Sequence, residues 1–197
     1  MNGEVEHNAA RKPRADAQRN RELLLETAKS AFAAKGSTAS LDEIARAAGV
    51  GIGTLYRHFP TRHALLESVY QNETRQLAEA ANRLANTLPP VEALREWMRL
   101  FVDYIAAKQV MAEAFNAIIG DISDLQAASG LQVKEAISTL VDVAIADGAI
   151  RLDLEPLDLL RALVGVAHVN SGPDWEASAK QLVDILIAGL RTTEASV

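Results

Sequence analysis

Residues 40–62 read SLDEIARAAGVGIGTLYRHFPTR, and the fold follows from them. Ser40 with Glu43 has the form of a capping box, in which the hydroxyl takes the Glu43 amide and the Glu carboxylate returns to the Ser40 amide. Leu41, Ile44, Ala45 and Ala48 follow at helical spacing. Gly49 stands where this helix must stop and the chain must turn, a position that glycine alone enters cheaply. Gly51 to His58 is long enough for two turns of a second helix, and Phe59-Pro60 ends it, because the residue before proline is pushed out of the helical region. A helix, a glycine turn and a second helix make a helix-turn-helix, whose second helix enters the major groove of DNA.

The faces of the second helix agree. Leu55 and Phe59 lie one turn apart and, with Val50, can pack on the first helix. Ile52, Gly53, Thr54, Tyr56, Arg57 and His58 are left on other faces, a set suited to phosphates and base edges. An ordinary helical hairpin with a polar outer face is the competing reading of the same spacing.

The longer string strengthens the DNA reading. Ala28 and Phe32 in A-x-x-x-F, Gly36, S-L-D-E-I-A-R-A-A-G-V and G-T-L-Y-R-H-F-P-T-R-H-A-L-L together resemble the DNA-binding domain of the TetR family of transcriptional regulators. The resemblance covers roughly the first third of the chain. Beyond it, L-V-D-I-L-I-A-G-L (Leu182 to Leu190) is a weak further cue, and W-M-R-L-F-V-D-Y-I-A-A-K (Trp97 to Lys108) resembles one C-terminal subtype of the family. The resemblance implies that Ser40 touches a phosphate, that Thr54 and Tyr56 are the main contacts of the recognition helix, and that Ile52 and Gly53 vary with operator sequence. It implies a phosphate contact for Arg62 too, at a position usually held by Lys. It further implies a repressor that binds a palindromic operator as a homodimer and is released by a small-molecule effector.

Composition sets the outer limits. The 197 residues are 49% hydrophobic and 23% charged, as in a globular protein. There is no cysteine, which excludes disulfides, thiolate zinc sites and thiol nucleophiles and fits a cytoplasmic location. No apolar run reaches the ~18 residues of a membrane span, and the first 14 residues hold no apolar segment of a secretory signal. The net charge of −6 is unevenly spread: residues 11–62 hold ten Lys and Arg against five acids, a net +5, so the rest carries −11. Phosphate neutralisation would therefore fall to the N-terminal third.

Helical spacing and breakers predict an all-α chain of about nine helices: a flexible basic arm over residues 1–14, a three-helix DNA-binding domain over 15–62, and an effector-binding and dimerisation domain over 63–197. The first helix is expected from about Asp16 to Lys35. Thr61 is expected to cap a long fourth helix, and Gly130 to divide two helical pieces. Trp97, Phe101, Tyr104 and Phe115 are four of the nine aromatics and, with Met111, mark either plain core or an effector pocket, to which Asn116, His168 and Asn170 could add polar groups. One recognition helix offers few base contacts, at ~1–3 kcal/mol each, so two copies on a palindrome are favoured. By the resemblance, the last two helices would form the dimer surface, through Leu159, Leu163, Val166, Leu182, Ile185, Leu186 and Leu190, some of them also needed inside the subunit.

No enzyme motif is present. The four histidines (7, 58, 63 and 168) form no Glu-x-x-His pair, and H-E-x-x-H, G-x-S-x-G and a glycine-rich phosphate loop are absent, so neither catalysis, a metal nor a cofactor is expected. A helical scaffold that binds small molecules without DNA function is the alternative to a regulator.

Overall fold

The computed structural model describes residues 5–169 and 174–192, with side chains from residue 16 onward. Among the described residues nine α-helices run α1 Val5–Lys35, α2 Leu41–Ala47, α3 Ile52–His58, α4 Arg62–Ala85, α5 Pro90–Val110, α6 Ala112–Ile118, α7 Ser123–Ala146, α8 Pro156–Val169 and α9 Trp175–Leu190. A 3₁₀ turn, Gly36–Thr38, joins α1 to α2. No strand forms among the described residues; a single bridge pairs Ile150 with Arg191. Asn170, residues 1–4 of the expected arm and most of the loop before α9 lie outside the described residues.

The chain folds into two compact units. The first holds residues 1–72 and 110–122, the second 73–109 and 123–197. α4 is thus shared between the two units, and α6 is grouped with the N-terminal helices. In the first unit Leu24, Leu25, Ala28 and Phe32 of α1 are buried with Ile44, Ala45, Leu55, Phe59, Leu65, Leu66, Val69 and Tyr70. Met111 and Phe115 of α6 are buried there too, and the Phe115 ring meets Tyr70 edge-on at 5.3 Å between centroids.

The second unit is a bundle of the rest of α4 with α5, α7, α8 and α9. Trp97, fully buried, donates from Nε1 to the Leu77 carbonyl at 2.8 Å, so α5 is tied to α4 through its largest side chain. The Trp97 and Phe101 rings stack at 6.1 Å, and Phe101 leans on Tyr104 at 6.0 Å. Tyr104, Thr74 and Ser129 form a buried hydroxyl chain linking α5, α4 and α7, with distances of 2.9 and 3.2 Å. Such buried groups must find partners or bear a desolvation cost of ~1–3 kcal/mol.

Two boundaries differ from expectation. α1 begins at Val5, within the stretch read as an arm; its first turns have no apolar stripe to announce them, and a helix, once nucleated, extends at little cost per residue. α7 runs unbroken through Gly130, since burial of Ser129 and Val133 on either side offsets the ~1 kcal/mol that glycine costs a helix.

Candidate nucleic-acid interface

Local chemistry places the site. Ser40 is extended and its Oγ accepts the Glu43 amide at 3.5 Å, capping α2. The other half of the capping box is not made: the Glu43 carboxylate takes Lys35 Nζ at 2.6 Å, and that ammonium holds it below its ordinary range. A cation in reach outcompetes a neutral amide. Gly49, at φ +70°, ends α2: its amide donates to the Arg46 carbonyl at 3.1 Å and that of Val50 to Ala45 at 3.0 Å, a Schellman closure. α3 then starts from extended Gly51, whose carbonyl accepts from Thr54 and Leu55. Phe59 closes it by donating to Leu55 at 2.8 Å.

Leu55 and Phe59 face inward, both essentially without exposure, and α3 packs on α2 and α1. The Arg21 guanidinium lies over the Phe59 ring at 4.7 Å. Outward stand Gly53, Tyr56 (48% exposed) and Arg57, flanked by half-buried Ile52, Thr54 and His58. Arg57 donates to Thr54 Oγ1 at 2.9 Å, so these two polar groups are held together on one turn of the helix. Nothing crowds Gly51 or Gly53, leaving bare backbone at the start of α3. Of the sequence-predicted set, Ile52, Gly53, Thr54, Tyr56, Arg57 and His58 thus occupy the exposed and half-buried sides of α3, with Ser40 at the start of α2.

Arg62, of which a phosphate contact is expected, makes contacts within the chain. It is half-buried, donates to the carbonyls of Ser37 and Ala39, and lies over the Phe32 ring at 5.2 Å. Thr61 takes the expected capping role, accepting the Ala64 amide at 3.0 Å. Sequence reading weighed Arg62 by its charge; the further signal is the type of cation, since a guanidinium is a rigid planar fork that can span two carbonyls while lying on a ring.

The residues expected to form an effector pocket are divided between the two units. Trp97, Phe101 and Tyr104 are core of the second unit, whereas Met111, Phe115 and Asn116 belong to the first. Asn116 and His168 are exposed, and the His168 ring bonds the Val164 carbonyl of its own helix at 2.9 Å. Aromatic spacing reports which face of a helix is apolar and not which core it serves. Of the expected dimer set, Leu159 and Leu163 are intrachain core, since the apolar stripe of α8 closes on α9. Val166, Leu182, Leu186 and Leu190 are half-buried, and Ile185 is 67% exposed. No trio of His, Cys, Asp and Glu suited to a metal occurs among the described residues, and none of the helices so described is long and apolar enough to cross a membrane.

Residues 24–69 match the model of bacterial regulatory proteins of the tetR family, and residues 89–192 match the C-terminal domain of SbtR-like transcriptional regulators. The fold is similar to the crystal structure of the TetR transcriptional regulator SCO0520 from Streptomyces coelicolor, with 44% identity, a TM-score of 0.78 and coverage of 88% of this chain and 99% of that one. It is also similar to a TetR transcription regulatory protein from Mycobacterium vanbaalenii, with 34% identity, a TM-score of 0.75 and coverage of 91% and 99%. Among curated relatives, the HTH-type transcriptional regulator AcrR of Shigella flexneri is 34% identical over 90 residues, 44% of this chain and 42% of AcrR. The HTH-type regulator SAR0097 of Staphylococcus aureus (strain MRSA252) is 35% identical over 69 residues, 34% of this chain and 36% of that protein. The chain therefore spans well under half the length of these two curated relatives.

Proposed function

The chain belongs to the TetR family of transcriptional regulators, DNA-binding helix-turn-helix proteins in which no catalytic activity is indicated, and on that premise we propose that it is a repressor that grips a palindromic operator as a homodimer and lets go when a small molecule binds. The observation that carries the reading is the outward face of α3, where exposed Tyr56 and Arg57, the latter bonded to half-buried Thr54, stand beside uncrowded glycine backbone. Tyr56 and Thr54 contact phosphate and base edges, Ile52 and Gly53 set operator preference, and Arg57 and His58 border the groove. The α2 N-terminus behind Ser40 receives a phosphate on its exposed amides. With glycine at 51 and 53, direct base readout is modest, so backbone approach and DNA shape carry part of the specificity.

The pairing surface is argued from what α8 and α9 leave uncovered. Ala162, Gly165, Val166 and Val169 share one face of α8, with Val169 90% exposed; Leu182, Ile185, Leu186 and Gly189 share one face of α9. Both faces lack charge, and the small Ala162, Gly165 and Gly189 suit close helix packing against a second copy and burial of area at ~25 cal/mol per Å². The effector acts through the second unit. α4 gives its first turns to the DNA unit and the remainder to the bundle, so a ligand that moves the bundle end favours a second state with weaker DNA affinity.

Gly53→Ala tests the recognition mechanism. The site has space for a methyl group and φ is not left-handed, so the substitution should raise stability, by up to ~1 kcal/mol, while weakening operator binding. Unchanged affinity and operator preference, measured by fluorescence anisotropy, would rule out close backbone approach.

A further inference from the structure

We propose that Arg62 is a positioning residue, which braces the turn ahead of α2 and does not bind a DNA phosphate. The inference rests on the DNA-binding reading of the first unit. Arg62 is the first residue of α4, yet its guanidinium reaches back 23 and 25 residues to donate to the carbonyls of Ala39 and Ser37. The Ser37 carbonyl lies within the 3₁₀ turn and that of Ala39 just after it, both ahead of Ser40, the cap of α2. Ala39 is fully buried, so water has little access to take over from the guanidinium there. The same guanidinium covers the face of Phe32, itself fully buried.

Moving Arg62 onto a phosphate would take this donor from the buried Ala39 carbonyl and uncover that ring. A rigid planar fork can span two carbonyls and lie on a ring face at once; an ammonium has three donors but no plane to lay on the ring. Arginine at 62 is therefore chosen by geometry as well as by charge. Its effect on DNA is indirect: it fixes the direction in which Ser40 and the first amides of α2 are presented. Another arginine of the unit, Arg21, lies over the Phe59 ring in the same manner.

The test compares Arg62→Lys and Arg62→Gln with the wild type, binding a mixed-sequence DNA duplex across a salt series, with amide hydrogen exchange of Leu41–Ile44 followed in parallel. Each phosphate contact contributes ~0.9 to the slope of log affinity against log salt. A brace predicts that both variants bind roughly tenfold more weakly at every salt concentration, with the slope unchanged and exchange at the start of α2 faster. A phosphate ligand predicts that lysine binds like the wild type and that glutamine lowers the slope by ~0.9; that result overturns the proposal, as does unaltered binding and exchange in both variants. Should a variant fail to fold, the wild-type guanidinium decides by NMR. Slow Nη exchange before duplex is added, with no shift afterwards, supports the brace, and a mobile group that shifts on DNA contradicts it. A wild type that binds no duplex sinks the DNA reading, while the exchange measurement still decides the brace.

Discussion

The two units treat their arginines in opposite ways. In the first, arginines spend themselves on ring faces, carbonyls and a hydroxyl: Arg21 on Phe59, Arg62 on Phe32 and two carbonyls, Arg57 on Thr54. Where the partner is neutral, the positive charge is not cancelled and the potential of the surface stays available to an anion. In the second, arginines meet carboxylates. Asp184 of α9 accepts from Arg99 of α5 at 3.0 Å through both oxygens and lies 3.4 Å from Arg95, Glu92 joins Arg95 to Arg191, and Lys180 pairs with Asp103. These exposed pairs fix the register of α5 against α9 more than they add stability, since such pairs are worth ~0–1 kcal/mol each. A surface meant for phosphate keeps its field; a surface that holds helices together neutralises it.

That contrast can be broken first at the bundle. Trp97→Ala removes the largest buried side chain and the bond to Leu77, and should cost ~3–5 kcal/mol, read as a lowered melting temperature. If stability hardly changed, the aromatic stack would be lining a cavity, and the pocket reading would return. Ile185→Glu comes next. It places a charge on the uncovered face of α9 and should yield folded monomers with unchanged helicity by circular dichroism and weakened DNA binding, seen by light scattering and anisotropy. A dimer that persists would move the pairing surface elsewhere.

The smallest effect concerns Lys108. Burial pushes its ammonium down to about 8, beside the Tyr104 ring at 4.3 Å. The folded chain thus releases this proton near pH 8, whereas the unfolded chain keeps it until about 10.5. Between those values the unfolded state binds more protons, so stability should rise with pH; below about 8 both states are charged and the burial cost is borne in full. Lys108→Met should flatten that rise in denaturant midpoints. An identical pH profile in the variant would assign the rise to other groups.

The recognition half was legible because its determinants are short-range. Ser40, Gly49, Phe59-Pro60 and Thr61 each act within about four residues, and each took the role its spacing implied. What the sequence hid acts across distance. The Glu43 carboxylate turned to Lys35, eight residues back, and Arg62 to carbonyls more than twenty residues away. In the bundle, spacing named the apolar faces of α5, α6 and α8 without their partners, so Phe115 fell in the first unit and Leu163 in the intrachain core. The stack of Trp97, Phe101 and Tyr104 reads alike from sequence whether it lines a pocket or fills a core.

The central claim is that two outward α3 faces grip duplex DNA together. Protection mapping of the DNA beside the protein's own coding region tests it most directly, with Tyr56→Ala as control. Tyr56 is half exposed, so its loss should leave stability within ~0.5 kcal/mol of the wild type. The expected result is two symmetric protected half-sites about one helical turn or a multiple of it apart, lost in Tyr56→Ala. Protection that survives in Tyr56→Ala, or no protection by the wild type at low salt, would contradict the account.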